Sequence, residues 1–310
     1  MRELRWRQIQ QFVGRIMLLF LARYAHLIPR AILYPLARAL GSSVMAISPR
    51  HRRIVMSNLR LAFGAEKSEA ELRVIARRFY QNFAKGLFEF LRMPAMTREE
   101  IKATARLEGE EHLQQAMAAG RGAILISAHY GNWETAAAYF AISGYGPLNA
   151  IARSQRDQEV TELLTSVRTY GGLRLVPREG AIRECTDRLA HNELVGIMID
   201  QNAGDHGVFV EFFGKLASTA AGAAVLAIRT ESPVIAAFCV RQPDETQKCI
   251  ILPPLRIQRT GDVESDVVAN TAVFTRIVEQ AVREHPDHWF WLHRRWKARP
   301  PWERGKSEWD

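Results

Sequence analysis

The hydrophobic pattern changes character twice along the chain. From Phe12 to Ile28 runs an almost unbroken apolar stretch centred on Met17, Leu18, Leu19, Phe20 and Leu21 and interrupted by Arg15 and Arg23. Over residues 29–105 the pattern is helical; in 66–92, Phe79, Phe83, Leu87 and Phe90 fall on one helix face, which core packing explains. Beyond about residue 106, short β-rich runs alternate with helical segments. The runs 123–127, 148–152, 173–176, 194–199 and 233–240 read as strands, several without polar alternation, as buried strands do. The segments 133–142, 158–170, 179–191 and 219–230 read as helices. The expected fold is therefore α/β: a largely parallel central sheet flanked by helices, with a helical, membrane-directed N-terminal part. Its expected divisions are a membrane anchor or interfacial helix over 1–28, a helical part over 29–105 and an α/β core over 106–310. Ligands of such sheets bind beyond the carboxyl ends of the strands, which is where chemistry is sought.

Composition narrows this picture. A chain of 310 residues that is 47% hydrophobic buries a full core, which excludes a disordered protein. The formal net charge of +9 implies an anionic partner: nucleic acid, an acidic membrane surface, or an acidic or phosphorylated substrate. Arg2, Arg5 and Arg7 precede the apolar stretch and no small-residue cleavage site follows it. Three readings fit the stretch: a short or tilted anchor with snorkelling arginines, an interfacial helix, or an amphipathic helix packed on the core. The basic run Arg50, His51, Arg52, Arg53 reads as a solvated helix face. Cys185, Cys239 and Cys249 are too few and too far apart for a disulfide framework, so they are expected as buried thiols in a reducing compartment.

The first strand end reads Ser127, Ala128, His129, Tyr130, Gly131, Asn132, Trp133, Glu134. Gly131 and Asn132 allow a tight turn between strand and helix, through which His129 and Glu134 are expected to meet although they lie five apart. An imidazole whose second nitrogen is held by a carboxylate is suited to take a proton from an alcohol, and the helix N-terminus beside it offers N–H groups to a developing oxyanion. No H-E-x-x-H zinc pattern, G-x-S-x-G elbow or Gly-rich phosphate loop accompanies the pair. A base without a protein nucleophile implies that the acceptor hydroxyl itself attacks. Arg153 and Arg168 are candidates for binding phosphate, and Asp200 and Gln201, at another strand end, for orienting an arginine or the acceptor. Trp289, Trp291, Trp296, Trp302 and Trp309, mixed with Arg294, Arg295, Lys297 and Arg299, suit a membrane interface or a single-strand nucleic-acid platform, with core packing expected for Trp289 and Trp291.

The segment HYGNWE at 129–134 resembles the H-x-x-x-x-D/E signature of the late acyltransferases of lipid A biosynthesis. Arg153 and Arg168 before Gly171 and Gly172, Asp200-Gln201, GVFVEFFGKLAST from 207 and HPDHWFWLHRRWK from 285 follow in the family's order. The resemblance implies acyl transfer from an acyl carrier protein thioester, or acyl-CoA, to a hydroxyl of a lipid A precursor at the cytoplasmic face of a bacterial inner membrane. It implies His129 as general base with Glu134 as its partner, and the expected partners are acyl carrier protein, an anionic phosphoglycolipid and the membrane surface. Nucleic acid is not expected, and neither a metal nor another cofactor is required. Ser154, Gln155, Arg156 and Asp157 stand where family members often carry an asparagine, a departure that bears on acceptor recognition. The rival readings are the same chemistry on a glycerophospholipid or a mannosylated inositol lipid, and a non-catalytic basic protein that binds membrane or nucleic acid.

Overall fold

The computed structural model describes residues 15, 16, 18–152 and 157–303. Helices α1 (Arg30–Ile47), α2 (Pro49–Phe63) and α3 (Glu69–Arg92) form the helical N-terminal part. α3 begins at a capping box in which Ser68 and Glu71 satisfy each other's backbone N–H groups. α1 crosses it closely at Gly41, where an added Cβ would lie 2.4 Å from the Tyr80 carbonyl oxygen. The α/β part follows as α4 (Arg98–Lys102), β1 (Ala105–Glu108), α5 (Glu110–Ala118), β2 (Ala123–Ser127), α6 (Trp133–Ile142), β3 (Leu148–Ala152), α7 (Gln158–Tyr170) and β4 (Arg174–Pro177). It continues through α8 (Ala181–Ala190), β5 (Leu194–Met198), β6 (Val208–Phe212), β7 (Lys215–Thr219), α9 (Gly222–Thr230), β8 (Val234–Arg241), β9 (Gln247–Ile251) and α10 (Val263–Glu284).

Seven strands form one sheet in the order β1-β9-β8-β2-β5-β3-β4. All pairings are parallel except β8 with β9, which matches the expected largely parallel sheet. The central strand β2 is apolar on both faces because helices cover both, and Ala123, Ile124 and Ile126 are fully buried. The register of β2 with β5 aligns Ser127 with Met198, so residues at equal distance beyond the two strand ends face each other.

Several elements escape the sequence pattern. β9 reads QKCII and β1 ARLE, short runs whose charged residues mask the strand signal. β6 and β7 form a separate antiparallel hairpin whose two-residue turn places Phe213 at φ +54° and Gly214 at φ +67°. Two consecutive positive φ values normally call for Asn-Gly, and a phenylalanine at the first hides the turn. Because Thr219 belongs to β7, the expected helix 219–230 begins only at Gly222.

The cysteine expectation is corrected: Cys239 and Cys249 form a disulfide, and Cys185 alone is a buried thiol. The two are ten apart in sequence but directly opposed across the β8–β9 pair, which a spacing count does not reveal. Cysteine usage therefore supports no inference about compartment. The C-terminal aromatics are also mostly interior: Trp289, Trp291 and Trp296 are buried, and so is Arg295, whereas Trp302 is exposed. Trp309 lies outside the described residues, as do residues 1–14 and Met17 of the expected anchor. Within the rest of that stretch Arg15 pairs with Asp157 and Glu159 near the start of α7. Among the described residues no single helix is long and apolar enough to cross a membrane; α1 and α2 meet the composition only as a pair bent by 93°.

The C-terminal segment is tied back to the N-terminal helices through Asn58 of α2, whose amide donates to the carbonyls of Trp291 at 2.7 Å and His293 at 2.8 Å. Asn58 is fully buried, so Asn58→Ala leaves two carbonyls without this donor and is expected to cost on the order of 2–4 kcal/mol. Thermal unfolding checks this: the variant should melt well below the parent, while Arg53→Ala on the exposed face of α2 should stay within about 0.5 kcal/mol.

Candidate active site

The end of β2 is held in an unusual turn. Gly131 has φ +59°, and a Cβ there would lie 1.9 Å from the Cys239 carbonyl oxygen of β8. Only glycine meets both conditions. Asn132 then caps α6, its side chain accepting from the Thr135 N–H at 3.2 Å and donating to Glu89 at 2.6 Å. On the other side the C-terminal segment runs alongside as a short antiparallel bridge between Tyr130 and Trp289. Gly131 N–H donates to the His288 carbonyl and Phe290 N–H to the His129 carbonyl, each at 2.9 Å.

This frame brings His129 and Asp200 together. The Asp200 side chain is buried and accepts three hydrogen bonds: His129 backbone N–H at 3.0 Å, His129 Nδ1 at 2.8 Å and Trp289 Nε1 at 2.8 Å. A carboxylate that is ionised only accepts, so Nδ1 carries the proton and Nε2 presents a lone pair. The Gln201 amide nitrogen stands 3.4 Å from Nε2. Burial opposes the charged imidazolium, but the charge and hydrogen bond of Asp200 outweigh it, and His129 titrates above the ordinary 6.5. Burial likewise opposes the Asp200 carboxylate, and its interactions with His129 and Trp289 hold it below its usual range.

The carboxylate at Nδ1 is thus Asp200 and not Glu134. Glu134 sits in the first turn of α6 and turns toward α7, where Arg168 Nε and Nη2 donate to its two oxygens at 2.9 and 2.5 Å. Helix geometry directs it there, whereas β2–β5 register directs Asp200 to His129. Arg168, expected as a phosphate ligand, is occupied by this two-point ion pair, although the pair remains close enough for Glu134 to favour a charged His129 and Arg168 to oppose it. Arg153 lies outside the described residues.

Sequence reasoning missed the walls of the site. His129 lies 5.3 Å, centroid to centroid, from Trp133 and 6.2 Å from Phe290, and Phe83, which packs on the core as expected, also reaches both rings. The half-buried His293 accepts from the Asn202 N–H at 2.8 Å, and desolvation pushes it down to about 4, so it stays neutral. The fully buried Arg295 bonds the Ser218 carbonyl at 2.6 Å and Thr219 Oγ1 at 2.5 Å. An apolar cavity of about 80 Å³ beside α6 is lined by Tyr130, Trp133, Ala137, Phe140, Leu148 and Gly196. A base whose Nε2 is an acceptor, beside an apolar cavity and a helix N-terminus, can deprotonate a hydroxyl while an acyl chain is held alongside.

A model of the family described as bacterial lipid A biosynthesis acyltransferase matches residues 4–298. The phosphatidylinositol mannoside acyltransferase of Mycolicibacterium smegmatis is 27% identical over 222 residues, 70% of each chain. The lipid A biosynthesis lauroyltransferase of Escherichia coli is 26% identical over 276 residues, 88% of each chain. The palmitoleoyltransferase of lipid A biosynthesis from the same organism is 23% identical over 88% of this chain and 87% of its own.

The geometry at Gly131 makes the turn itself testable. Gly131→Ala combines a left-handed backbone with an overlap onto β8, and the expected loss is roughly 2–4 kcal/mol. Equilibrium denaturation against Gly120→Ala is the check, because Gly120 also has positive φ but meets nothing within 4 Å. The Gly131 variant should lose clearly more.

Proposed function

This chain belongs to the bacterial lipid A biosynthesis acyltransferase family, and on that premise we propose that it moves an acyl chain from an acyl carrier protein thioester to a hydroxyl of a lipid A precursor. Acyl transfer by a named acyltransferase is common to the relatives, so the protein is an O-acyltransferase. The observation that carries the site assignment is the His129–Asp200 hydrogen bond with Nε2 left as acceptor.

In this reading the acceptor hydroxyl lies at Nε2, displacing the Gln201 amide. His129 takes its proton as the oxygen attacks the thioester carbonyl, and Asp200 stabilises the imidazolium that forms. The first N–H groups of α6 and the Gln201 amide face the carbonyl oxygen as it becomes an oxyanion. Collapse of the tetrahedral species breaks the C–S bond, and the imidazolium returns its proton to the departing thiolate. The donor chain occupies the cavity beside α6. Glu134 holds Arg168 and strengthens the negative field around His129, while Arg153, which follows β3 in sequence, meets an anionic group of the acceptor. No metal or redox cofactor enters these steps.

The lipid A acceptor is preferred to a mannosylated inositol lipid because the lipid A relatives match along 88% of the chain and the mannoside relative along 70%. The attachment we propose is to the cytoplasmic face of the inner membrane; contact with a membrane is supported by the exposed apolar side chains concentrated before residue 48, including Phe20 at 60%, Leu27 at 67% and Ile47 at 77% exposure.

The test is purified, detergent-solubilised protein supplied with acyl carrier protein thioester and a lipid A precursor, with the product read by mass. His129→Ala is expected to lose about 10²–10⁴-fold in rate. Since the neutral imidazole is the base and Asp200 raises its pKa, kcat/KM should fall as pH drops through a value above 6.5. In Asp200→Asn burial dominates, so that limb should move to lower pH while the plateau rate falls. An unchanged limb in Asp200→Asn contradicts the assignment, and turnover only with phosphatidylinositol mannoside overturns the acceptor.

A further inference from the structure

A second cavity, of about 260 Å³, lies between the start of α1, the end of α3 and the β8–β9 turn. None of His129, Asp200, Glu134 or Arg168 lines it, and the proposed mechanism does not use it. Its floor is apolar: Leu33, Met93 and Ile101 are buried there, and Met96 completes a surface able to adjust to a flexible chain. Its acids are largely spent. Glu89 accepts two bonds from Arg241, at 2.6 and 2.7 Å, and Glu245 accepts from Lys85 at 2.6 and 2.8 Å.

Two cations and one carboxylate remain. Exposed Arg30 makes no ion pair among the described residues, and Arg92 donates through Nη1 only to the carbonyls of Ala25 and Ile28. Two guanidinium groups line one cavity with no carboxylate bonded to either, a pairing that an anion relieves. An acceptor stands at the β8–β9 side, where exposed Asp244 lines the cavity. Its Oδ1 accepts from the backbone N–H and hydroxyl of Thr246, which leaves Oδ2 to meet a cationic donor. The ligand that answers all three features carries a phosphate, a cationic donor and an apolar chain. The surroundings suit a lipid source: Ile32 and Leu36, on the same helix as Arg30, are 59% and 45% exposed.

We infer that this cavity binds a zwitterionic phospholipid, with its phosphate between Arg30 and Arg92, its ammonium at Asp244, and one acyl chain over Met93, Met96 and Ile101. The site is separate from the transfer reaction, and its test reads binding alone. Native mass spectrometry and calorimetric titration of the full-length protein in detergent use lysophosphatidylethanolamine, with lysophosphatidic acid and phosphoethanolamine as probes lacking the ammonium or the chain. The expected result is one lysophosphatidylethanolamine per chain, at least tenfold tighter than either comparison probe. Arg30→Glu and Ala31→Trp change exposed side chains at the cavity, so folding, checked by melting, should survive while affinity falls tenfold or more. Undiminished binding in both folded variants, or no saturable binding by the parent, overturns the site. Equal affinity for lysophosphatidic acid overturns the ammonium contact.

Discussion

The parallel pairing of β2 with β5 is the constraint on which the site depends. It aligns Ser127 with Met198, and two residues further on each strand it sets His129 against Asp200. The carboxylate is buried, and isolated burial of a charge is strongly unfavourable. Three N–H donors answer that cost, two from His129 and one from Trp289, so the strand register and the returning C-terminal segment are needed together. Gly131 permits the approach of that turn to β8, and Asn58 fixes the far end of the returning segment to α2.

A second charged network stands beside the first. Glu89 joins Arg241 of β8 to Asn132 at the start of α6, and Glu134 two residues later joins α6 to Arg168 of α7. Each of these pairs removes a carboxylate from service as a ligand while fixing the helix that approaches His129. Half-buried ion pairs of this kind are better understood as positioning devices than as sources of net stability. In the proposed mechanism their value is electrostatic preorganisation: the charges around Nε2 are set before substrate arrives.

Much of this was legible in the chain. β2 and α6 have the boundaries that the apolar run AILIS and the Gly-Asn turn suggested, and His129 lies at the strand end where chemistry was expected. The pairing of His129 was not legible, because closeness in sequence favoured Glu134 whereas the contact is made across neighbouring strands. The signal existed: both His129 and Asp200 end buried apolar runs, and adjacent parallel strands of equal offset would oppose them. The β6–β7 hairpin was hidden by Phe213 in a position that favours asparagine, and the disulfide by strand pairing that no count of cysteines contains. Phe83 packs on the core as its helical spacing implies, but that spacing cannot reveal that it also reaches Trp133 and Phe290.

The central claim is that Asp200, and not Glu134, fixes the proton of His129 on Nδ1. Nitrogen-15 spectra of the histidine ring, recorded across pH for the parent, Asp200→Asn and Glu134→Gln, address it directly. The account predicts a parent ring protonated at Nδ1 that titrates above 6.5, a ring freed to exchange tautomers and titrating lower in Asp200→Asn, and a Nδ1 proton retained in Glu134→Gln. Loss of the fixed tautomer in Glu134→Gln with its retention in Asp200→Asn would contradict it.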